Sequence, residues 1–262
     1  MPKFSANLTF LYTDRPFLDR FAAAAAAGFP AVEYMSPYET EPEAIAARLR
    51  EHGLEQALFN LPSGDWASGD RGLGCLPDRV EEFRAGVDKA IAYARALACT
   101  KVNCLAGVPP AHLPRDTAEA TLVANLQYAA PRLAQAGIRL LLEPINTRDI
   151  PGYLVATTAQ AERILAAVGS DNLFIQYDVY HMQVMQGDLT ATFERLKDRI
   201  GHVQIADNPG RHEPGTGEIN YAYVLGALDR LGYDGYVGCE YRPLGDTDAG
   251  LGWMRPYLGE RQ

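Results

Sequence analysis

The sequence predicts an α/β protein built as a single (β/α)8 barrel, and three observations support this fold class. The chain has 262 residues, close to the roughly 250 that such barrels typically need. Eight short apolar runs alternate with eight longer helical patterns. No Gly-x-Gly-x-x-Gly motif follows the first run, which weakens the competing prediction of a doubly wound open sheet. Because no linker or low-complexity segment divides the chain, residues 1–262 are predicted to form one domain.

The apolar runs are the predicted strands, and several are continuously apolar, as expected for parallel strands buried on both faces. The predicted strands span residues 4–10, 31–35, 56–61, 101–106, 139–144, 173–180, 202–206 and 235–241. The helical patterns lie near residues 15–27, 41–52, 78–97, 117–136, 158–168, 188–198, 220–231 and 248–258. Five of them are followed by a glycine, a common helix end: Gly28, Gly53, Gly137, Gly169 and Gly232.

Composition excludes several classes of function. The net charge is -9 and no basic stripe is visible, so nucleic acid is not an expected partner. The chain shows neither a signal-peptide pattern nor a long apolar span, so we expect a cytoplasmic protein with no membrane partner. The four cysteines form no Cys-x-x-Cys pair and are expected to be buried free thiols.

Four oxygen-bearing side chains stand at the ends of the last four predicted strands. Glu143 ends the fifth strand, Asp178 ends the sixth, Gln204 lies in the seventh and Glu240 ends the eighth. They follow one another at intervals of about one strand-helix unit. In a (β/α)8 barrel the carboxyl ends of the strands form one rim, where active sites lie. We therefore expect these four side chains to face a common site.

Three carboxylates that converge without a cation would repel one another and raise their pKa values. A divalent cation bound by Glu143, Asp178, Gln204 and Glu240 removes that cost. Ligands that offer only oxygen favour a hard ion, so the sequence predicts Mg²⁺ or Mn²⁺ rather than zinc.

Residues near this rim are candidates for binding a small-molecule substrate. His181 follows Asp178 and is expected in the loop after the sixth strand, where an imidazole could bond a substrate oxygen. Arg211 lies in the glycine-rich loop after the seventh strand. Trp66 and Arg71 lie in a long polar loop after the third strand, a typical place for a lid. Either arginine could clamp a carboxylate.

Five longer motifs resemble those of the hydroxypyruvate isomerase family, and the similarity runs through the whole chain. That family lies within the xylose-isomerase-like barrels, which also include 2-oxo-tetronate isomerases and ketose 3-epimerases. The motifs are Phe59-Asn-Leu-Pro-Ser-Gly-Asp-Trp-Ala, Glu143-Pro-Ile-Asn-Thr-Arg-Asp-Ile-Pro-Gly-Tyr, Gln176-Tyr-Asp-Val-Tyr-His-Met-Gln, Gly201-His-Val-Gln-Ile-Ala-Asp-Asn-Pro-Gly-Arg-His-Glu and Glu240-Tyr-Arg-Pro.

The resemblance implies a metal held by Glu143, Asp178, Gln204 and Glu240, with Glu143 and Glu240 as proton donor and acceptor. Ketose 3-epimerases usually carry histidine where Gln204 stands, so the glutamine favours an acid isomerase. The implied reaction interconverts hydroxypyruvate and tartronate semialdehyde through an enediolate. A 2-oxo-tetronate isomerase, a ketose 3-epimerase and a non-catalytic barrel stay open as alternatives, as does a dimeric or tetrameric assembly.

Overall fold

Eight parallel strands close into a barrel in chain order, as the sequence predicted. The computed structural model describes residues 1–257. The strands are β1 (Lys3–Asn7), β2 (Ala31–Glu33), β3 (Glu55–Asn60), β4 (Lys101–Cys104), β5 (Arg139–Leu142), β6 (Leu173–Asp178), β7 (Ile200–Ile205) and β8 (Tyr236–Cys239). Parallel pairing of β1 with β8 completes the barrel, so the carboxyl ends of all eight strands share one rim.

Helices cover the outside of the barrel between successive strands. They are α1 (Arg20–Ala26), α2 (Pro42–His52), α3 (Val80–Ala96), α4 (Arg115–Gln135), α5 (Thr158–Val168), α6 (Val179–Met185), α7 (Leu189–Leu196), α8 (Tyr221–Arg230) and α9 (Thr247–Gly250). Helix α4 continues through Pro131. A capping box of Thr157 and Gln160 begins α5, and left-handed Gly53 and Gly169 follow α2 and α5.

The structure corrects the sixth predicted strand, which was extended to residue 180. Strand β6 ends at Asp178, and the short helix α6 begins at once with Val179. The Asp178 carboxylate accepts a hydrogen bond from the backbone N–H of Tyr180 (2.8 Å), which caps the helix. Valine and tyrosine favour strands in isolation, but this local cap outweighs the preference.

Most other strand and helix ends also shift by a few residues, and two of these differences are informative. The last pattern, 248–258, is divided between α9 and a 3-10 helix at Leu251–Tyr257, and residue 258 lies outside the described residues. The first predicted strand, 4–10, is shortened to β1. Apolar residues that follow it, such as Leu8, are fully buried although they lie outside the strand. A buried loop therefore resembles a strand when only hydropathy is considered.

The hydrophobic core fills the layer between the strands and the helices. All four cysteines are buried and free, as expected. Within the described part of the chain, no helix combines the length and apolar character needed to cross a membrane. Inside the barrel, by contrast, several buried side chains are polar, and these form the floor of the site.

Candidate active site

A buried cluster of acidic side chains lies at the carboxyl-end rim. Glu143 directly follows β5, Asp178 ends β6 and Glu240 directly follows β8. Ligand atoms of these three residues and of His181 all lie within 4.8 Å of one another. The barrel thus brings together the three carboxylates that the sequence analysis selected, in an arrangement that could hold a metal ion.

Gln204 lies on β7 beside this cluster, paired in register with Asp178. Its Nε2 donates to Oε1 of Glu33 (2.8 Å), and its Oε1 accepts from Nε2 of Gln176 (2.6 Å). Gln204, Glu143 and Glu240 line one cavity of about 790 Å³. A carbonyl oxygen keeps a second lone pair after one hydrogen bond, so Gln204 can still offer an oxygen ligand.

Burial and mutual repulsion disfavour the ionised forms of these acids. Burial, followed by the charges of Glu240 and Asp178, raises the pKa of Glu143 well above its ordinary value. Burial raises the pKa of Glu240 to about 8 and that of Asp178 in the same direction, and Arg211 opposes both shifts. Asp178 Oδ2 has no hydrogen-bond partner among residues 1–257. Three converging acids, one with an unpartnered buried oxygen, fit the donor set of a hard divalent cation.

Arg211 lies against two of the acids. Its Nη2 is 2.8 Å from Oε2 of Glu240 and 3.8 Å from Oδ2 of Asp178. Its guanidinium carbon lies 5.1 Å from the ring centre of Phe10 and 5.2 Å from that of Tyr180. Nε is buried and, within residues 1–257, lacks a hydrogen-bond acceptor. An oxygen-bearing ligand in the cavity could supply that acceptor.

His181 lies in the first turn of α6, not in a loop as the sequence suggested. Burial, followed by the charges of Arg211 and Arg148, lowers its pKa well below the ordinary value, so the imidazole is neutral. Its Nδ1 is 2.7 Å from the side-chain nitrogen of Asn146, which has hydrogens to donate. The ring proton is therefore assigned to Nε2, which lies 3.5 Å from Oδ2 of Asp178. His181 faces the acids as a hydrogen-bond donor.

Trp66 and Arg71 also line this cavity. The guanidinium carbon of Arg71 lies 4.2 Å from the centre of the Trp66 ring. Arg71 Nη1 donates to the backbone carbonyls of Trp66 and Asp70, which closes the loop on itself. Trp66 is 41% exposed. The loop thus places a stacked cation and an aromatic ring beside the cavity.

The first half of the barrel contributes residues that the sequence analysis missed. Asn103 Nδ2 donates to Oε2 of Glu143 (3.1 Å), and Asn7 Nδ2 donates to Oε1 of Glu240 (3.4 Å). Glu33 lies deeper in the same cavity, where it accepts a hydrogen bond from His202 (2.8 Å). Glu33 ends β2 as Asp178 ends β6, so the same strand-end criterion would have found it.

Comparison with known proteins identifies the family of this chain. The family model described as a xylose isomerase-like TIM barrel matches residues 21–257. Hydroxypyruvate isomerase of Escherichia coli is 53% identical over 98% of this chain and 100% of that protein. A 2-oxo-tetronate isomerase of Cupriavidus necator is 49% identical over 99% of this chain and 100% of that protein.

Solved structures give the same fold. A Brucella melitensis protein described as AP endonuclease, family 2, has a TM-score of 0.96 and 46% identity, covering 98% of this chain and 99% of that one. An L-ribulose 3-epimerase has a TM-score of 0.77 and 25% identity, covering 100% and 88%. The chain belongs to the xylose isomerase-like TIM-barrel family and is an isomerase of the group that contains hydroxypyruvate and 2-oxo-tetronate isomerases.

Proposed function

We propose that this protein is a cation-dependent isomerase that interconverts hydroxypyruvate and tartronate semialdehyde. The observation that carries the proposal is the buried convergence of Glu143, Asp178 and Glu240 at the barrel rim. Full-length similarity to a hydroxypyruvate isomerase supports the choice of substrate.

Glu143, Asp178, Gln204 and Glu240 would hold the cation, either Mg²⁺ or Mn²⁺. When bound, the ion would polarise the substrate carbonyl and stabilise negative charge that develops on the neighbouring oxygens. The protein side chains supply oxygen ligands only, because the neutral His181 presents an N–H to the cluster.

Glu143 and Glu240 serve as proton acceptor and donor in this proposal. One carboxylate takes a proton from C3 of hydroxypyruvate, which gives an enediolate across C2 and C3. A proton is then delivered to C2, and the hydroxyl proton moves from the C3 oxygen to the C2 oxygen. A positioned acid or base contributes about 10²–10⁴-fold to such a step.

The substrate carboxylate needs a cationic partner, and Arg211 and Arg71 both line the cavity. Arg211 lies beside the acids and has an unused donor at Nε among the described contacts. Arg71 lies on the loop with Trp66, so it would reach the substrate as that loop covers the cavity. His181 Nε2 would donate to a substrate oxygen.

A 2-oxo-tetronate isomerase is the second candidate, and a ketose 3-epimerase the third. The 49% identical relative from Cupriavidus necator favours the former, because its name specifies a longer hydroxy-oxo acid. Two further arginines, Arg148 and Arg242, line the same cavity of about 790 Å³ and could meet a longer acidic chain. The L-ribulose 3-epimerase structure, at 25% identity, gives weaker support to a ketose 3-epimerase.

A substrate panel tests the proposal. The purified protein is treated with EDTA, divided, and assayed with and without added Mn²⁺ on hydroxypyruvate, 2-oxo-tetronates, fructose and ribulose. We expect the highest kcat/KM for hydroxypyruvate, and only in the Mn²⁺ arm. Turnover that chelation leaves unchanged contradicts cation dependence, and a higher kcat/KM for a 2-oxo-tetronate or a ketose moves the assignment to that candidate.

A further inference from the structure

Glu33 is a fully buried acid that the proposed chemistry does not use. It lies inside the barrel at the end of β2, next to the acidic cluster but lower in the cavity. Among the described residues, four side chains donate hydrogen bonds to it: Ser5 (2.7 Å), Asn7 (3.2 Å), His202 (2.8 Å) and Gln204 (2.8 Å). An ionised carboxylate accepts hydrogen bonds and donates none, so this set of donors matches the charged form.

A strand that is not adjacent to β2 in the sheet, β8, leaves room for this carboxylate inside the barrel. A Cβ atom built on Gly238 of β8 would lie 2.3 Å from Oε1 of Glu33, closer than any real contact. Only glycine fits there while Glu33 keeps its place. Burying an unpaired charge is costly. The space left by Gly238 and the four hydrogen-bond donors together offset that cost for the Glu33 carboxylate.

The charge on Glu33 sets the direction of a chain of amides. Gln204 must turn its NH₂ toward the acceptor-only carboxylate, which directs its Oε1 away from Glu33. That oxygen then accepts from Gln176 Nε2 at 2.6 Å, which fixes the second amide as well. If Gln204 were flipped, two oxygens would face each other across 2.8 Å.

Glu33 is also connected to the acidic cluster through Asn7. Asn7 Nδ2 donates to Oε1 of Glu33 and lies 3.4 Å from Oε1 of Glu240. One amide group thus bridges the deep carboxylate and an acid of the rim. Two of the four rim side chains, Gln204 and Glu240, are in this way oriented from below by one anion.

We propose that Glu33 is a positioning residue that presets the oxygens of Gln204 and Glu240 for the cation. This inference rests on the cation site of the proposed function. Partners that orient metal ligands typically change metal affinity by about 10–100-fold when they are removed. If Glu33 only filled space, Glu33→Gln would leave the metal affinity unchanged, because glutamine has nearly the same size as glutamate.

The test is calorimetric titration of the EDTA-treated protein with Mn²⁺, comparing wild type with Glu33→Gln. We expect Mn²⁺ to bind the variant about 10–100-fold more weakly. The control is Gln56→Met, since Gln56 is a buried strand residue whose amide, within residues 1–257, bonds only to the backbone of Leu58. Its Mn²⁺ affinity should equal that of wild type.

A double variant, Glu33→Gln with Gln204→Glu, separates positioning from general damage. It keeps one negative charge and one amide in the pair, with the two groups exchanged. Because a new carboxylate ligand would by itself strengthen Mn²⁺ binding, the reference is Gln204→Glu alone: Glu33→Gln should weaken Mn²⁺ binding when residue 204 is glutamine but not when it is glutamate. The double variant also allows Mn²⁺ affinity to be measured if Glu33→Gln alone fails to fold. Unchanged affinity in Glu33→Gln, or the same loss of affinity in both backgrounds, overturns the inference alone. Absence of Mn²⁺ binding by wild type overturns the proposed function and this inference together.

Discussion

The two halves of the barrel contribute different chemistry to the same cavity. Strands β5 to β8 deliver Glu143, Asp178 and Glu240, three acids that converge within one cluster. Strands β1 to β4 deliver mainly amides, and Asn7 and Asn103 donate hydrogen bonds to those acids. The second half supplies the proposed ligands and proton carriers, and the first half holds them in orientation.

Because of this division, the charges of the acids and the orientation of those acids can be changed by separate substitutions. An acid lost from the second half should remove a chemical step, whereas an amide lost from the first half should leave the step in place but misalign it. The expected effects therefore differ in size and in kind, and variants of the two halves can be compared directly.

The largest effect is expected from the proposed proton carriers. Glu143→Gln and Glu240→Gln each keep the side-chain volume but remove the proton-transfer group, so kcat should fall by about 10²–10⁴-fold. Steady-state kinetics with saturating Mn²⁺ measures this. Glu162→Gln, an outer acid on α5 that pairs with Arg195, is the control and should keep wild-type kcat. Full activity in either rim variant contradicts the assignment of that glutamate.

A smaller effect is expected from the orienting half. Asn103→Leu removes the donor to Glu143 while it fills nearly the same space, and kcat should fall by about 10–100-fold with Mn²⁺ still bound. The matched control is Asn125→Leu, since Asn125 is an equally buried amide on α4 that bonds to the backbone of Gly74. That control should lower stability without lowering kcat. Equal kcat losses in both variants would mean that Asn103 acts only in folding.

The loop beside the cavity should influence binding more than chemistry. Arg71→Met should raise KM for hydroxypyruvate by about tenfold at nearly constant kcat, because the proposed charge-assisted hydrogen bond to the substrate carboxylate would be lost. Arg84→Met is the matched control, since Arg84 also stacks on an aromatic ring, that of Tyr128, but on the outside of the barrel. A fall in kcat without a change in KM would argue against a carboxylate clamp.

The remaining effect concerns pH and stability rather than turnover. The raised pKa values of Glu143, Asp178 and Glu240 mean that the native metal-free protein binds protons that the unfolded chain releases. This contribution to stability is present at low pH and is lost as pH rises from about 4.5 toward the value of about 8 for Glu240. Added Mn²⁺ should replace the protons, so its stabilising effect should grow across the same interval.

Thermal melts at several pH values, with EDTA or with Mn²⁺, measure this difference. At a hundredfold excess of free Mn²⁺ over its Kd, the stabilisation is about 2.7 kcal/mol, or roughly 5–10 °C in Tm for a chain of this size. A Mn²⁺-induced shift that stays constant from pH 5 to pH 8 would show that the acids do not exchange protons for the cation.

The sequence predicted the barrel and the acidic half of the site because their signals are strong. A carboxylate such as Glu143 or Asp178 at the end of an apolar run is easily recognised in the sequence. The regular spacing of such ends places them on one rim of the barrel. Asn7 and Asn103 carry no charge and stand among apolar residues, so their roles depend on contacts across strands that hydropathy does not encode. Only the folded barrel brings Asn103 to Glu143.

Local structure explains the remaining errors. His181 was expected in a loop because residues 179 and 180 resemble strand residues, whereas the Asp178 cap starts α6 there. Within the part of the chain that the structure describes, that cap leaves one of the two Asp178 oxygens without a hydrogen bond, and this oxygen faces the cluster. A helix start at this point therefore shapes the proposed cation site, which no analysis of periodicity could have anticipated.

The most direct test of the central claim is the stoichiometry of Mn²⁺ binding to the wild-type protein and to Asp178→Asn, measured by electron paramagnetic resonance of free Mn²⁺. We predict one tightly bound ion per wild-type chain and a large loss of affinity in Asp178→Asn. Asp171→Asn, an exposed acid at the other end of β6, should bind one ion as wild type does. No bound ion in wild type, or equal affinity in Asp178→Asn, would contradict a cation site at the rim.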